Sequence, residues 1–167
     1  ALIKYASAEA HQQGGKFSGE VAHAIKSAAE DVMQDKLNAH FPLDVFQTGS
    51  GTSWNMNMNE VIAHRANELL SGKEFIHPND HINRGQSSND VIPAATNIAT
   101  RISAAVLHEK LLSLSQSFES KAMEFQHSLK LGRTHLQDAV PMRVSQEFFA
   151  WAEQIKRSAD RIEQQFG

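Results

Sequence analysis

The chain has 167 residues, of which 41% are hydrophobic and 21% are charged, as is ordinary for a soluble globular protein. The formal net charge of −3 argues against nucleic acid or an anionic membrane as the main partner, because both usually require a basic surface. The absence of cysteine excludes disulfide scaffolds, thiolate zinc sites and cysteine nucleophiles.

Apolar residues recur at spacings of three and four along most of the chain, the pattern of amphipathic helices. Glycines, prolines and short polar stretches separate these segments. No segment alternates with a period of two, so no strand is expected. The expected helices cover residues 1–13, 18–40, 55–70, 90 to about 127, and a stretch that begins after Pro141, with a polar loop at 73–88.

The fourth expected helix is unusually long. Its only breaker is Pro93, which a first helical turn tolerates. A helix of about 35 residues is roughly 50 Å long, too long for one small domain to cover. We therefore expect an all-α long-helix bundle that oligomerises through its uncovered apolar stripes. The stripe residues are Ile98, Ile102, Val106, Leu111, Leu114, Phe118, Ala122 and Phe125, then Val144, Phe148, Trp151, Ile155, Ala159, Ile162 and Phe166 in the last helix.

A first polar motif, Thr48 to Ser53, precedes the third helix. Its two glycines allow a sharp turn and a close approach of the backbone to a ligand. Hydroxyls and N–H groups at a helix N-terminus favour an anion. The alternative is a plain turn in which Thr52 or Ser53 caps the helix.

A second motif, Ser87 to Asp90, precedes the long helix. Ser88 or Asn89 is expected to cap that helix. Three consecutive donor side chains exceed what one cap needs, and the surplus favours a carboxylate-binding site.

Upstream of the second motif, His77, Asp80 and His81 raise the alternative of a metal site. Pro78 disrupts a helical presentation of these side chains, and no fourth ligand is evident. We therefore predict no metal.

A third motif, Gly132 to Asp138, is expected to be a polar loop between two helices. It carries His135, beside Thr134 and close to Asp138. A lone histidine is more often structural than catalytic, but one in a polar loop can transfer a proton near neutral pH.

Together, in this order and spacing, the motifs resemble those of class II fumarases, members of the fumarase/aspartase superfamily. A basic residue is often found in the family three positions before His77, whereas this chain has Glu74. Trp54 occupies a position where the family has small or polar residues. The segments that carry the resemblance are Thr48–Thr52 with Asn55–Val61, His77–Asp80 with Gln86–Asp90, and Gly132–Asp138.

The resemblance implies an all-α enzyme that reversibly hydrates fumarate to malate without a metal or organic cofactor. In the elimination direction a proton leaves the carbon next to a carboxylate, so the site needs oriented donors and a base. His135 is the implied catalytic histidine, which activates the water or helps to protonate the leaving group. The implied substrate contacts are Ser50, Thr52, Ser87, Ser88, Asn89 and Thr134, and a second, peripheral anion site is implied at His77, Asn79 and Asp80.

The resemblance also implies the organisation of a longer enzyme. Residues 1–75 match the rest of its N-terminal helical domain, and residues 76–167 match the first part of its central bundle. The family's carbon base, a serine on a glycine-rich loop, has no counterpart in this chain, so we expect an interior fragment that is inactive alone. The family forms homotetramers whose active sites are shared between subunits. The implied location is the cytoplasm, or the mitochondrion in a eukaryote.

Two alternatives stay open. An aspartate ammonia-lyase is favoured by residues 139–142, whereas Ser50, Thr52 and the Ser87–Ser88 pair favour a fumarase. The other is a non-catalytic helical association module. We favour the fumarase.

Overall fold

The computed structural model describes residues 1–166, and the regular secondary structure in this range is helical apart from one two-stranded β-hairpin. The all-α fold class is confirmed. The main elements are α1 (Leu2–Gln13), α2 (Gly19–Met33), α3 (Thr52–Leu70), α4 (Ser88–Glu124), β1 (Leu129–Thr134), β2 (Gln137–Arg143) and α5 (Val144–Glu163). A 3₁₀ turn at Asn38–His40 and a π-helical segment at Pro78–Ile82 lie in the connections.

The chain divides into two compact units, Ala1–Asn97 and a second that begins at Ile98. Helix α4 contributes residues to both. The predicted boundary at residues 75/76 concerns the domains of a longer enzyme and stays a prediction. Among the described residues, no helix combines the length and the apolarity that a bilayer span needs.

The core of the first unit is built from small side chains on α1, α2 and α3. Ala22, Ala28, Ala29 and Ala66 are fully buried, and the helices bury larger residues such as Ile62 among them. Alanine allows helices to approach closely and favours the helical backbone. The first motif lies at the start of α3 and the second at the start of α4.

Helix α2 ends at Met33, so the predicted extension to residue 40 is wrong. Asp35 adopts a left-handed backbone conformation with φ of 59°. The N–H of Lys36 then donates to the carbonyl of Asp31 at 3.1 Å, as at many helix C-termini that carry a glycine at the left-handed position. Because glycine usually marks this position and this chain has an aspartate, the sequence alone does not indicate that the helix ends here.

The second unit packs α5 against the C-terminal half of α4. The rings of Phe118, Phe125, Phe148 and Trp151 form a cluster with centroid separations of 5.2–6.2 Å. The hydroxyl of buried Ser115 donates to a carbonyl of α5 at 3.0 Å. Aromatic contacts therefore hold the two helices together.

The β-hairpin contradicts the expectation that the chain has no strand. Strands β1 and β2 pair antiparallel from Leu129↔Arg143 to Thr134↔Gln137, with a register shift around Gly132. Most of their residues are exposed, so neither face imposes the alternating pattern by which a strand is recognised. The ammonium of Lys130 contacts both carboxylate oxygens of Glu147 at 2.8 Å and thereby ties the hairpin to α5.

Part of the predicted apolar stripe is uncovered in the chain alone. Ile102 and Val106 on α4 are 60% and 56% exposed, and Leu114 and Trp151 are also exposed. The exposure of the α4 residues in the single chain agrees with the prediction that one small domain cannot cover so long a helix. Their burial by other copies stays a prediction.

Candidate active site

The first two motifs lie side by side in the first unit. Gly51 of the first motif packs against Ile92, in the second turn of α4. An open depression of about 430 Å³ separates their polar ends. It is lined by Gly49, Ser50, Asn89, Ile92, Pro93, Thr96 and Asn97.

The first motif forms a chain of exposed hydroxyls. Ser50 Oγ lies 3.2 Å from Thr48 Oγ1 and 3.3 Å from Thr52 Oγ1. Helix α3 begins at Thr52, and its N-cap is Gly51, in a left-handed conformation with φ of 65°. The alternative in which Thr52 or Ser53 caps the helix is therefore wrong, because within the described residues no side chain caps it. Ser50 instead lines the depression, and the hydroxyl of Thr52 lies beside that of Ser50.

The second motif divides its side chains between a cap and a site. The hydroxyl of Ser87 accepts a hydrogen bond from the N–H of Asn89 at 3.3 Å, and its carbonyl accepts the N–H of Val91 at 2.9 Å. Ser87 is thus the cap of α4, and the expectation of Ser88 or Asn89 in that role is wrong. Asn89 lines the depression, and Ser88 is held from behind by Asn55.

Proline 93 lies inside α4, not in its first turn as expected, because the helix begins at Ser88. A proline has no N–H, so the carbonyl of Asn89 lacks its usual donor four residues later. The Asn89 carbonyl oxygen therefore lacks this intrahelical hydrogen bond, and Asn89 is one of the residues that line the depression.

A buried polar network lies behind Ser88, and the sequence reading missed it. Asn55 Nδ2 donates to Ser88 Oγ at 3.0 Å and to Asn83 Oδ1 at 3.1 Å. Lys4 Nζ donates to Asn83 Oδ1 at 3.0 Å and to Gln86 Oε1 at 2.8 Å. Burial lowers the pKa of Lys4 from its ordinary 10.5 to about 8.

One signal in the sequence pointed to this network. Asn55 and Asn59 lie four residues apart on the buried stripe of α3, where apolar side chains are usual. Lys4 likewise shares a buried helix face with Ala8. Polar residues on an apolar stripe indicate buried hydrogen bonds.

At the predicted second anion site, His77 caps the segment Pro78–Ile82. Its Nδ1 accepts hydrogen bonds from the N–H groups of Asn79 and Asp80 at 3.2 and 3.3 Å. The ring therefore occupies the backbone donors to which an anion would bind, and anion binding there stays a prediction. Across residues 1–166, histidine and carboxylate side chains form no group of three or more that could hold a metal ion.

The third motif is the tip of the β-hairpin and not the expected polar loop between helices. His135 and Leu136 form its two-residue turn, with φ of 51° and 61°. Positive φ at both positions suits a hairpin turn but is costly for residues other than glycine or asparagine. Asp138, expected close to His135, pairs instead with Arg133, whose Nε lies 3.4 Å from its Oδ1.

The tip is open to solvent in the single chain. Thr134 and His135 are exposed, and Leu136 is 96% exposed. The predicted site residues Thr134 and His135 belong to the second unit. The first unit contains the other predicted site residues, which are Ser50, Thr52, Ser87, Ser88 and Asn89.

Known proteins match nearly the whole chain. A family profile described as lyase matches residues 1–166. The class II fumarate hydratase of Thermus thermophilus is 48% identical over 170 residues, which are 98% of this chain and 36% of the relative. The mitochondrial fumarate hydratase of Homo sapiens is 47% identical over 169 residues, which are 96% of this chain and 32% of the relative.

Solved structures match equally well. The class II fumarase of Schistosoma mansoni superimposes with a TM-score of 0.93 and 40% identity, over 99% of this chain and 36% of that one. A fumarate lyase of Brucella melitensis gives a TM-score of 0.91 and 42% identity, over 98% and 39%. The chain thus spans about a third of the length of the relatives that it matches, and the resemblance to class II fumarases is confirmed.

Proposed function

The chain belongs to the lyase family, and from this we propose that its parent enzyme reversibly hydrates fumarate to malate. The observation that carries the proposal is the convergence of two donor-rich motifs on one depression. A dicarboxylate has no apolar body to bury, so its recognition depends on hydrogen-bond donors of this kind. The 48% identity to a class II fumarate hydratase supports the same assignment.

In the proposed site, hydroxyl and amide side chains bind the substrate carboxylates. These side chains belong to Ser50, Thr52, Ser87, Ser88, Asn89 and Thr134. Malate loses a proton from the carbon next to a carboxylate to the carbon base of the parent enzyme, the family's loop serine, and negative charge accumulates on that carboxylate before hydroxide leaves. Fixed hydroxyl and amide donors stabilise this charge more strongly than they stabilise the ground state. His135 protonates the leaving hydroxide, and in the hydration direction it takes a proton from the attacking water.

The proposed enzyme is a homotetramer in which the His135 hairpin completes a site built on other copies of the chain. The solvent-exposed tip and the exposed apolar residues of α4 support this arrangement. Among residues 1–166, no other part of the chain covers the hairpin tip or these apolar residues of α4. We also expect the 167-residue chain to be inactive alone, because the family's loop serine has no counterpart in its sequence.

The remaining proposals follow from the family. No metal or organic cofactor takes part, and His77, Asn79 and Asp80 form a second anion site. Bacterial class II enzymes and mitochondrial enzymes are among the named relatives. The cytoplasm, or the mitochondrion in a eukaryote, is therefore the proposed location.

The test is to add the full-length enzyme to fumarate in the absence of ammonia and to follow the ultraviolet absorbance of the double bond. Hydration removes this absorbance and yields malate. Loss of fumarate only when ammonia is present would assign an aspartate ammonia-lyase instead. No loss under either condition would favour the association module.

A further inference from the structure

We propose that Lys4 is a positioning residue that fixes the Ser88 hydroxyl as a hydrogen-bond donor towards the substrate carboxylate. It acts through two amide side chains, those of Asn83 and Asn55. The inference rests on the proposed function, because it deepens the role of Ser88 in that site.

The residues form one continuous series of hydrogen bonds. Lys4 Nζ lies 3.0 Å from Asn83 Oδ1, which lies 3.1 Å from Asn55 Nδ2. The same nitrogen of Asn55 lies 3.0 Å from Ser88 Oγ. Lys4 and Asn55 are only 2% and 3% exposed, so water does not compete for these bonds.

The direction of every bond in the series follows from the lysine. An ammonium group has three donors and no acceptor, so the atom of Asn83 that faces it must be the oxygen. That oxygen can only accept, so Asn55 must turn its NH₂ group towards it. An amide alone would not fix this choice, because its two ends are nearly equal in size and shape.

The consequence falls on the serine. Because Asn55 Nδ2 also faces Ser88 Oγ, the serine oxygen accepts a hydrogen bond from the protein interior. Its single O–H proton is then available to a group outside the network. A carboxylate is acceptor-only when ionised, so it is the complementary partner for a serine in this state.

A second branch holds the loop that carries the serine. Gln86 accepts from Lys4 Nζ at 2.8 Å, so its NH₂ group is directed away, to Ser7 Oγ at 2.8 Å and to the carbonyl of Ile82 at 3.0 Å. One ammonium group thus fixes both the polarity of the network and the position of residues 82–88.

A purely structural role explains these features less well. Buried lysines are normally paired with a carboxylate, yet within the described residues Lys4 takes part in no salt bridge. Burial without such a partner penalises the charged form, which is why the pKa of Lys4 is low. A methionine of similar length would fill the same space without this penalty. A methionine would, however, lack the hydrogen-bond donors of the ammonium group.

The experiment is a double-mutant cycle between Lys4→Met and Ser88→Ala in the full-length enzyme, with KM for fumarate and kcat measured separately. We expect Lys4→Met to raise KM about tenfold, the usual scale for one hydrogen bond to a charged group, with a smaller change in kcat. In the Ser88→Ala background it should raise KM no further. Lys16→Met, an exposed lysine near the same helix, is the matched control and should leave KM unchanged.

A second variant covers the case in which Lys4→Met does not fold. Asn55→Asp is isosteric but replaces the NH₂ group by an acceptor, so the Ser88 proton turns inwards and KM rises by a similar factor. An unchanged KM in Asn55→Asp, or additive effects of Lys4→Met and Ser88→Ala, would overturn the positioning role. A wild-type enzyme that does not hydrate fumarate would instead defeat the proposed function itself.

Discussion

Gly51 and Ile92 are so closely packed that a Cβ atom added to Gly51 would lie 2.9 Å from both Cγ1 and Cδ1 of Ile92. Gly51 lies in the first motif at the start of α3, and Ile92 lies in the second turn of α4, two residues after the second motif. Their contact therefore sets the separation between the hydroxyls of one motif and the donors of the other. Gly51 also has a left-handed backbone conformation, so two independent constraints favour glycine there.

We expect Gly51→Ala to lower the free energy of unfolding by about 1–3 kcal/mol, from backbone strain and overpacking, and to raise KM for fumarate. Thermal unfolding and steady-state kinetics of the full-length enzyme measure the two effects. Gly49→Ala is the matched control for the free energy of unfolding, because among residues 1–166 no atom beyond its chain neighbours lies within 4 Å of its added Cβ and its φ is not positive. Equal behaviour of the two variants would contradict the role of the Gly51–Ile92 contact.

For the hairpin tip, we expect His135→Asn to lower kcat of the full-length enzyme by about 10² or more, the usual scale for loss of an acid–base group. Asparagine tolerates positive φ, so the turn should persist and the unfolding temperature should change little. His23→Asn, at an exposed position on α2, controls for removal of a histidine. An unchanged kcat in His135→Asn would assign the histidine a structural role.

Lys4 predicts a dependence of stability on pH. Its pKa is about 8 in the folded protein and 10.5 in the unfolded chain, so between these values the unfolded state binds more protons. Raising the pH through this window therefore stabilises the wild type. The cost of charging buried Lys4 is fully present below pH 8 and is relieved as the pH approaches 10.5.

At about 1.4 kcal/mol per pKa unit, the relief amounts to about 3 kcal/mol. As the pH rises through this window, the unfolding temperature of the wild type should therefore increase relative to that of Lys4→Met. Comparing the two proteins cancels the other groups that titrate in the same range. A difference that stays constant from pH 7 to 10 would contradict an unpaired, buried ammonium.

The cap of α4 gives a prediction about stability. We expect Ser87→Ala to lower the free energy of unfolding by about 1 kcal/mol, because the N–H of Asn89 loses its acceptor. Ser87→Asp keeps an acceptor at this position and should restore most of the stability. Thermal unfolding of the full-length enzyme distinguishes the two outcomes, and equal losses in both variants would show that the hydroxyl does not cap the helix.

The sequence predicted those parts of the fold whose signals are local. The long helices follow from their apolar periodicity, and three short motifs sufficed to identify the family. The end of α2 was misplaced because Asp35 takes the left-handed position that glycine usually holds. The hairpin was missed because its exposed strands do not alternate.

The site was only partly predictable for a similar reason. Lys4 and Asn83 are 79 residues apart in the chain, and a lysine on a helix gives no local sign of its distant partner. The adjacency of Gly51 and Ile92 likewise depends on how α3 and α4 pack. Motifs identified the chemical groups, whereas tertiary packing determines which of them meet.

The register shift in the hairpin has a consequence for how this segment tolerates change. Beyond Gly132 the strands pair one residue out of step with the earlier pairs, and only this offset places His135 and Leu136 in the turn. Removal or addition of one residue within either strand near Gly132 would turn the side chains beyond that point to the opposite face of the ribbon. Outside Thr134 and His135, the segment should therefore tolerate side-chain substitutions better than insertions or deletions within its strands.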